Sequence, residues 1–171
     1  SLKGTPFLYK GDELGLPEAQ IPYDRIEDPW GKYLYPLWQG RDGCRTPMPW
    51  SGGRMAGFTK ARDSWLPIPD THMALNAAAQ ARDDSSTLNF TRYFLHWRKT
   101  QPALATGEIR FTETGRDDVL AFTRTLPGDG AEAVECAFNL SGKLVVLNGD
   151  MLEPFEARFS AGGQVVFSSV L

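Results

Sequence analysis

Two arginines four residues apart, Arg41 and Arg45, stand in a run of loop-forming residues, Gly40-Arg41-Asp42-Gly43-Cys44-Arg45-Thr46-Pro47. A guanidinium is a planar fork that can hold a carboxylate on one edge and still donate to vicinal hydroxyls on another. The plainer reading is a solvated surface arginine in a loop. Arg45 is open in the same way: it either faces a ligand or braces the loop through Asp42. Asp42 itself suits ordering the backbone amides of its own turn. Cys44 would need a base to become a nucleophile, and no histidine lies near it in sequence, so a buried small side chain is the expectation. Asp12 and Glu13 are adjacent, and successive side chains of a strand point to opposite faces, which is the wrong geometry for a carboxylate pair on one substrate. The histidines, His72 and His96, read as structural: His72 orienting a loop, His96 among the core positions of a helix.

These candidates are carried by 171 residues with a formal net charge of −3 and a hydrophobic fraction of 42%. That suffices for one globular domain with a real core and excludes a disordered chain. The mild acidity and the lack of a dense basic run argue against a nucleic-acid partner. No apolar run approaches the roughly twenty residues that span a bilayer, so no membrane partner is expected. Cys44 and Cys136 lie far apart and fit no Cys-x-x-Cys or Cys/His ligand spacing, so neither metal nor cofactor is expected in this segment. Reduced thiols are expected, with a single disulfide the alternative. The opening Ser1-Leu2-Lys3-Gly4-Thr5-Pro6 resembles no signal peptide, which points to the cytoplasm, and only weakly, since a sequence that does not begin with Met need not show its leader.

Three zones must position the arginines. The first, to about residue 80, begins with an apolar run, Pro6-Phe7-Leu8-Tyr9, that fits one short strand. Behind it, Pro17, Pro22, Pro29, Pro36, Pro47, Pro49, Pro67 and Pro69 forbid any long helix or central strand. Tyr23, Trp30, Tyr33, Tyr35, Trp38, Trp50, Phe58 and Trp65 predict an ordered loop that packs most of these rings as a miniature core. Met73 to Ala81 is alanine-rich and predicts a short helix or helical turn. The second zone is a helix over Asp83 to Lys99, with caps at Asp84, Ser85 or Ser86, a broad apolar face at Leu88, Phe90, Tyr93, Phe94, Leu95 and Trp97, and Pro102 as its stop. The third alternates in the strand manner over Ile109–Thr112, Val119–Thr123, Ala131–Leu140, Leu144–Leu147, Phe155–Phe159 and Val165–Val170, with turns at Gly115–Asp118 and Pro127–Gly130. The chain is therefore α+β, ending in an antiparallel sheet or sandwich.

With that order in place, Gly4-Thr5-Pro6-Phe7-Leu8-Tyr9-Lys10-Gly11-Asp12-Glu13-Leu14-Gly15 resembles the eighth strand and exit loop of α-glucosidases and oligo-1,6-glucosidases of the α-amylase superfamily. Gly40-Arg41-Asp42-Gly43-Cys44-Arg45-Thr46-Pro47-Met48-Pro49-Trp50 resembles their Arg-Asp-x-x-Arg-Thr-Pro-Met-x-Trp signature. Ala56-Gly57-Phe58-Thr59, Trp65-Leu66-Pro67 and Arg92 to Leu104 follow in family order, so the resemblance covers at least residues 4–107. It implies that residues 1–104 are the last βα unit of a (β/α)8 barrel with a long aromatic loop, and residues 105–171 an antiparallel β-sandwich domain. It also implies a retaining hydrolase with two carboxylates roughly 5–5.5 Å apart that releases glucose from α-1,4-linked substrates. Sucrose isomerisation, glucosyl transfer or a non-catalytic carbohydrate-binding module are the alternatives. The family's Asp nucleophile, its Glu acid/base and a third Asp precede these residues, so no catalytic residue falls here and the chain alone is expected to be inactive.

In the family the first arginine of the signature pairs with an Asp from early in the barrel and closes the glucose pocket, which assigns substrate binding to Arg41 and, beside it, Arg45. Asp12 and Glu13 would tie the strand end to neighbouring loops. Trp30, Trp38 and Trp50 are candidates for stacking on sugar faces. The implied partners are α-glucosides such as maltose or maltooligosaccharides, and either the missing N-terminal barrel part or self-association, since a lone barrel strand leaves its edge unpaired.

Overall fold

The computed structural model describes residues 1–128 and 132–169 and divides into two compact units, residues 7–93 and residues 1–6 with 94–171. The division falls inside a helix, between Tyr93 and Phe94, where the sequence reading changes domain at 104/105. Asp129, Gly130, Ala131, Val170 and Leu171, which end two of the expected strands and one turn, lie outside the described residues.

In the first unit the proline spacing cuts the chain into short pieces. Among the described residues, Phe7–Tyr9 form no strand, a correction to the expected one: a strand needs a ladder partner, and Phe7 is exposed. The elements are α1 (Pro29–Leu34), α2 (Asp70–Ala74), α3 (Ala77–Gln80) and the opening turns of α4 (Thr87–Lys99), joined by single 3-10 turns. The helix expected over 73–81 is split at Leu75 and Asn76, because the Asn76 side chain caps the amide of Ala79 and starts a new helix there. α4 begins four residues later than predicted: Ser86 and Asn89 turn their side chains onto Gln80 O, and the side chain of Gln80 takes the amide of Leu88.

The loop's core is aliphatic rather than aromatic, a second correction. Ala19, Ile21, Ile26 and Leu66 form one cluster and Leu14, Met48 and Leu88 another, while the rings of all eight loop aromatics stay exposed. Clusters of three or four small side chains are too shallow to close over an indole, so the rings meet at the surface, as in the Tyr23–Tyr35 pair with centroids 5.1 Å apart.

Among the described residues, the second unit holds the last turns of α4, α5 (Pro102–Thr106) and seven strands: β1 (Glu108–Phe111), β2 (Val119–Thr125), β3 (Ala133–Asn139), β4 (Val145–Leu147), β5 (Asp150–Leu152), β6 (Ala157–Ala161) and β7 (Gln164–Ser168). Pro102 does not merely stop α4; its fixed φ starts α5 at the first helical position. Five strands make one antiparallel sheet in the order β1-β2-β3-β6-β7, and β4-β5 form a separate hairpin that sequence alternation had only half revealed. Alternation puts Phe122, Val134, Cys136 and Phe159 on one face, where they pack with Ala103, Leu104, Phe94, Trp97 and Phe167. His96 is exposed, not in the core as expected: the face that packs is set by Phe94 and Trp97, three residues apart, and His96 falls beside it.

Candidate functional site

Asp28 organises the arginine loop. It is the N-cap of α1, accepting from the amide of Trp30 at 3.0 Å through Oδ1, with Pro29 preset for the first helical position. Its Oδ2 accepts from both the backbone N (3.1 Å) and Nε (3.0 Å) of Arg41, and Nη1 of Arg45 stands 3.9 Å from the same oxygen. The carboxylate is buried, yet the hydrogen bond from the Arg41 side chain, aided by the backbone donors, holds its pKa below the usual carboxylate value against the upward push of burial. The same bond raises the pKa of Arg41. One carboxylate thus faces both predicted arginines.

Asp42 holds Asp28 in place. Its Oδ2 accepts from the amides of Glu27 (2.6 Å) and Asp28 (2.8 Å), and its Oδ1 is buried without a partner. The sequence assigned Asp42 to its own turn; instead it clamps a segment fourteen residues upstream. Gln39 ties the arginine loop to a segment further upstream, its Oε1 accepting from Ile21 N (3.0 Å) and its Nε2 donating to Ala19 O (2.7 Å). The approach is close enough to require glycine. A Cβ on Gly43 would stand 2.5 Å from Ala19 O and 2.8 Å from Gln39 Nε2. Gly43→Ala is expected to cost about 1–3 kcal/mol through this overpacking, read as a lower urea midpoint at unchanged slope.

Behind the loop, His72 is buried between a carbonyl and a hydroxyl. Pro17 O can only accept, so Nε2 carries the proton and donates to it at 2.7 Å, leaving Nδ1 to accept from Thr46 Oγ1 at 3.1 Å. The neutral tautomer fits both partners, which bears out a structural role. Lys10 donates from Nζ to Thr46 O, and burial lowers the pKa of its amine. Asp12 and Glu13 cap the amides of Tyr9 and Gly11, both 2.9 Å away. They order their own turn rather than reach to neighbouring loops.

These residues surround a cleft of about 290 Å³ lined by Tyr9, Lys10, Glu18, Trp38, Arg41, Cys44 and His72 among others. Arg41 lies on its wall with its side chain 58% exposed, and its two terminal nitrogens donate to no other side chain among the described residues. Arg41 is received by a carboxylate of this chain, Asp28, whereas the Asp from early in the barrel that the resemblance implied lies outside these residues. Asp28 was missed. The Asp-Pro start of α1 signals a cap, but nothing local signals a pairing thirteen residues away. Trp38 lines the cleft, whereas Trp30 and Trp50 do not. Cys44 is exposed, contrary to expectation, because the 3-10 turn Asp42–Cys44 points its Sγ outward, 3.0 Å from Arg41 O. Cys136 is buried and its thiol is pushed up to about 12 by burial. Both are free, so Ellman's reagent at pH 8 is expected to titrate Cys44 in the native chain and Cys136 only after denaturation. Among the described residues no three potential ligands gather around a metal position, and no helix is long and apolar enough to cross a membrane.

The chain is similar to a probable alpha-glucosidase of Rhizobium meliloti, with 44% identity over 160 residues, 92% of this chain and 28% of that protein. It is also similar to the trehalose synthase/amylase TreS of Mycobacterium tuberculosis, 36% identical over 148 residues, 82% of this chain and 22% of TreS. Among solved structures, the alpha-glucosyl transfer enzyme XgtA superposes with a TM-score of 0.80 at 37% identity, covering 91% of this chain and 32% of its own. The trehalulose synthase MutB of Pseudomonas mesoacidophila MX-45 matches in fold, with a TM-score of 0.80 at 24% identity over 92% of this chain and 35% of MutB. The chain spans about a quarter of the length of the curated relatives it matches. The model of the alpha amylase catalytic domain matches residues 1–107, and with the arginine loop and its cleft lying inside that match, the chain belongs to the alpha-amylase family.

Proposed function

We propose that the chain is part of a retaining α-glucosidase that releases glucose from α-1,4-linked oligosaccharides such as maltose. Residues 1–104 would supply the last βα unit of its barrel and residues 105–171 a sandwich domain, in the cytoplasm, and this segment needs no cofactor. Arg41 and Arg45 are the substrate-binding residues. The observation that carries this reading is the single anchor on Arg41. Asp28 fixes Nε and the backbone N, so the guanidinium is held in place while its terminal nitrogens remain free to donate to sugar hydroxyls at the cleft. Trp38 on the same wall offers a face for a pyranose ring.

The 171-residue chain incubated with p-nitrophenyl α-glucoside is expected to give no turnover, because the family's reacting carboxylates lie in other polypeptide; release above background would overturn that assignment. In the longer enzyme Arg41→Ala is expected to lower kcat/KM by roughly 10²-fold, the loss of a charge-assisted contact together with its orienting effect. A second reading is supported by the glucosyl-transfer relative and by a MutB structure in complex with sucrose, 25% identical: the same pocket wall in a transferase or isomerase. Chromatography of products from sucrose and maltose separates the two, glucose alone for the hydrolase and rearranged disaccharides for the other.

A further inference from the structure

Among the described residues, the sheet unit contains two guanidinium groups whose Nε is closed to solvent without a partner and which no carboxylate meets. Arg124, on β2, is fully buried; its Nη2 donates to Gly107 O at 2.8 Å, its Nη1 donates to Ser1 O, and its Nε has no partner. Arg98, near the end of α4, donates from Nη2 to Leu104 O at 3.2 Å, and its Nε is likewise closed to solvent without a partner. Every acceptor is a neutral carbonyl. Carbonyl oxygens satisfy donors but do not neutralise a charge, and burying a cation without a counter-ion is strongly unfavourable.

Two nearby groups could have supplied the missing charge, and neither does. The carboxylate of Glu108 reaches Arg124 only at a distance and is held by Lys3 at 2.6 Å. The thiol of Cys136 is pushed up to about 12, so it stays neutral at physiological pH. Burial is the main force lowering the pKa of Arg124, and the charge of Arg98 lowers it further.

Beside Arg98 opens a cleft of about 420 Å³, walled by residues 1–6 on one side and by Leu120, Phe122 and Phe138 on the other. Its lining carries Arg98, the amine of Ser1 and Lys3, the last already paired with Glu108, and no acidic residue. We infer that this cleft is a carboxylate-binding site, with Arg98 as the contacting cation and the buried Arg124 as the charge behind it. A guanidinium matches a carboxylate in shape and charge. The apolar wall favours such a monoanion over a phosphate or sulfate dianion, whose desolvation costs more. The carboxylate has two possible sources, a small free acid or an Asp or Glu side chain of polypeptide beyond these residues.

Thermal unfolding of the 171-residue chain in sodium formate, against sodium chloride at equal ionic strength, tests the site. At a formate concentration about ten times its dissociation constant the midpoint is expected to rise by roughly 4 °C, and Arg98→Gln to remove the difference. Saturation transfer from protein protons to formate is expected in the unmodified chain and lost in the variant. Equal midpoints in the two salts together with no saturation transfer would overturn the site, and that transfer measurement decides even if Arg98→Gln does not fold. In the longer protein, a formate response identifies a free acid as the ligand. No response there, with Arg98→Gln still lowering the midpoint, identifies the protein's own side chain.

Discussion

Replacing Asp28 by Ala is expected to dismantle the arginine loop while leaving the sheet unit folded. The substitution removes a helix cap and the shared counter-charge of Arg41 and Arg45 in one step. Asp28→Asn separates the two, since asparagine caps a helix nearly as well as aspartate but carries no charge. The asparagine variant is therefore expected to keep α1 and still lose the fixed position of Arg41. In the proposed α-glucosidase, kcat/KM is expected to fall on the order of 10–100-fold in both variants through misplacement of the proposed binding group. Limited proteolysis between Asp28 and Arg45 should accelerate in the alanine variant and much less in the asparagine variant. Acid should act in the same direction as the asparagine. The folded pKa of Asp28 is depressed, so the stability it contributes is fully present above the unfolded value near pH 3.9 and is lost as pH falls through the lower folded value. The Arg41 anchor should thus hold at every pH above about 4, and an activity loss between pH 5 and 8 must come from other groups.

The parts of this chain that were legible from sequence are those whose signal is local. Period-two alternation found β1, β2, β3 and β7 to within about two residues at each end, and α4 declared itself through Leu88, Phe94 and Trp97. The hairpin's second strand, Asp150–Leu152, has three residues and one buried side chain, too little alternation to be read. The arginines were found by their motif. Their anchor was not, because Asp28 and Arg41 meet through the closure of a segment whose course is set by Gly31, Gly40 and Gly43, each packed where a Cβ would come within 3 Å of another segment. Such closure depends on long-range backbone approach and leaves no periodicity. The reading of the loop aromatics failed for a related reason. Composition announces eight rings but not the depth of the core beneath them, and here the core is only wide enough for Ile21, Ile26 and Leu66.

The sheet unit, by contrast, should fail through one residue. Phe159 is 1% exposed and has its ring centroid 5.1 Å from that of Phe94, 5.2 Å from Trp97, 5.7 Å from Phe138 and 6.0 Å from Phe167. It also faces Cys136 across the β3–β6 ladder, one residue before the register shift toward β7. Phe159→Ala is expected to cost about 3–5 kcal/mol in transfer and cavity terms. Each lost ring pair adds roughly 0.5–1.5 kcal/mol in such clusters, some of it recovered by collapse of the neighbours. A domain of this size has about 5–15 kcal/mol in total, so the variant should be partly unfolded at 37 °C. The urea midpoint, followed through the fluorescence of Trp97 in a chain with its other tryptophans replaced by Phe, reads the loss. Phe159→Leu, which refills most of the volume, should recover more than half of it. Val165→Ala on the exposed edge should stay within about 0.5 kcal/mol of the parent chain. If Phe159→Ala and Val165→Ala proved alike, the aromatic cluster would not be what binds α4 and α5 to the sheet, and the close ring contacts would be incidental to stability.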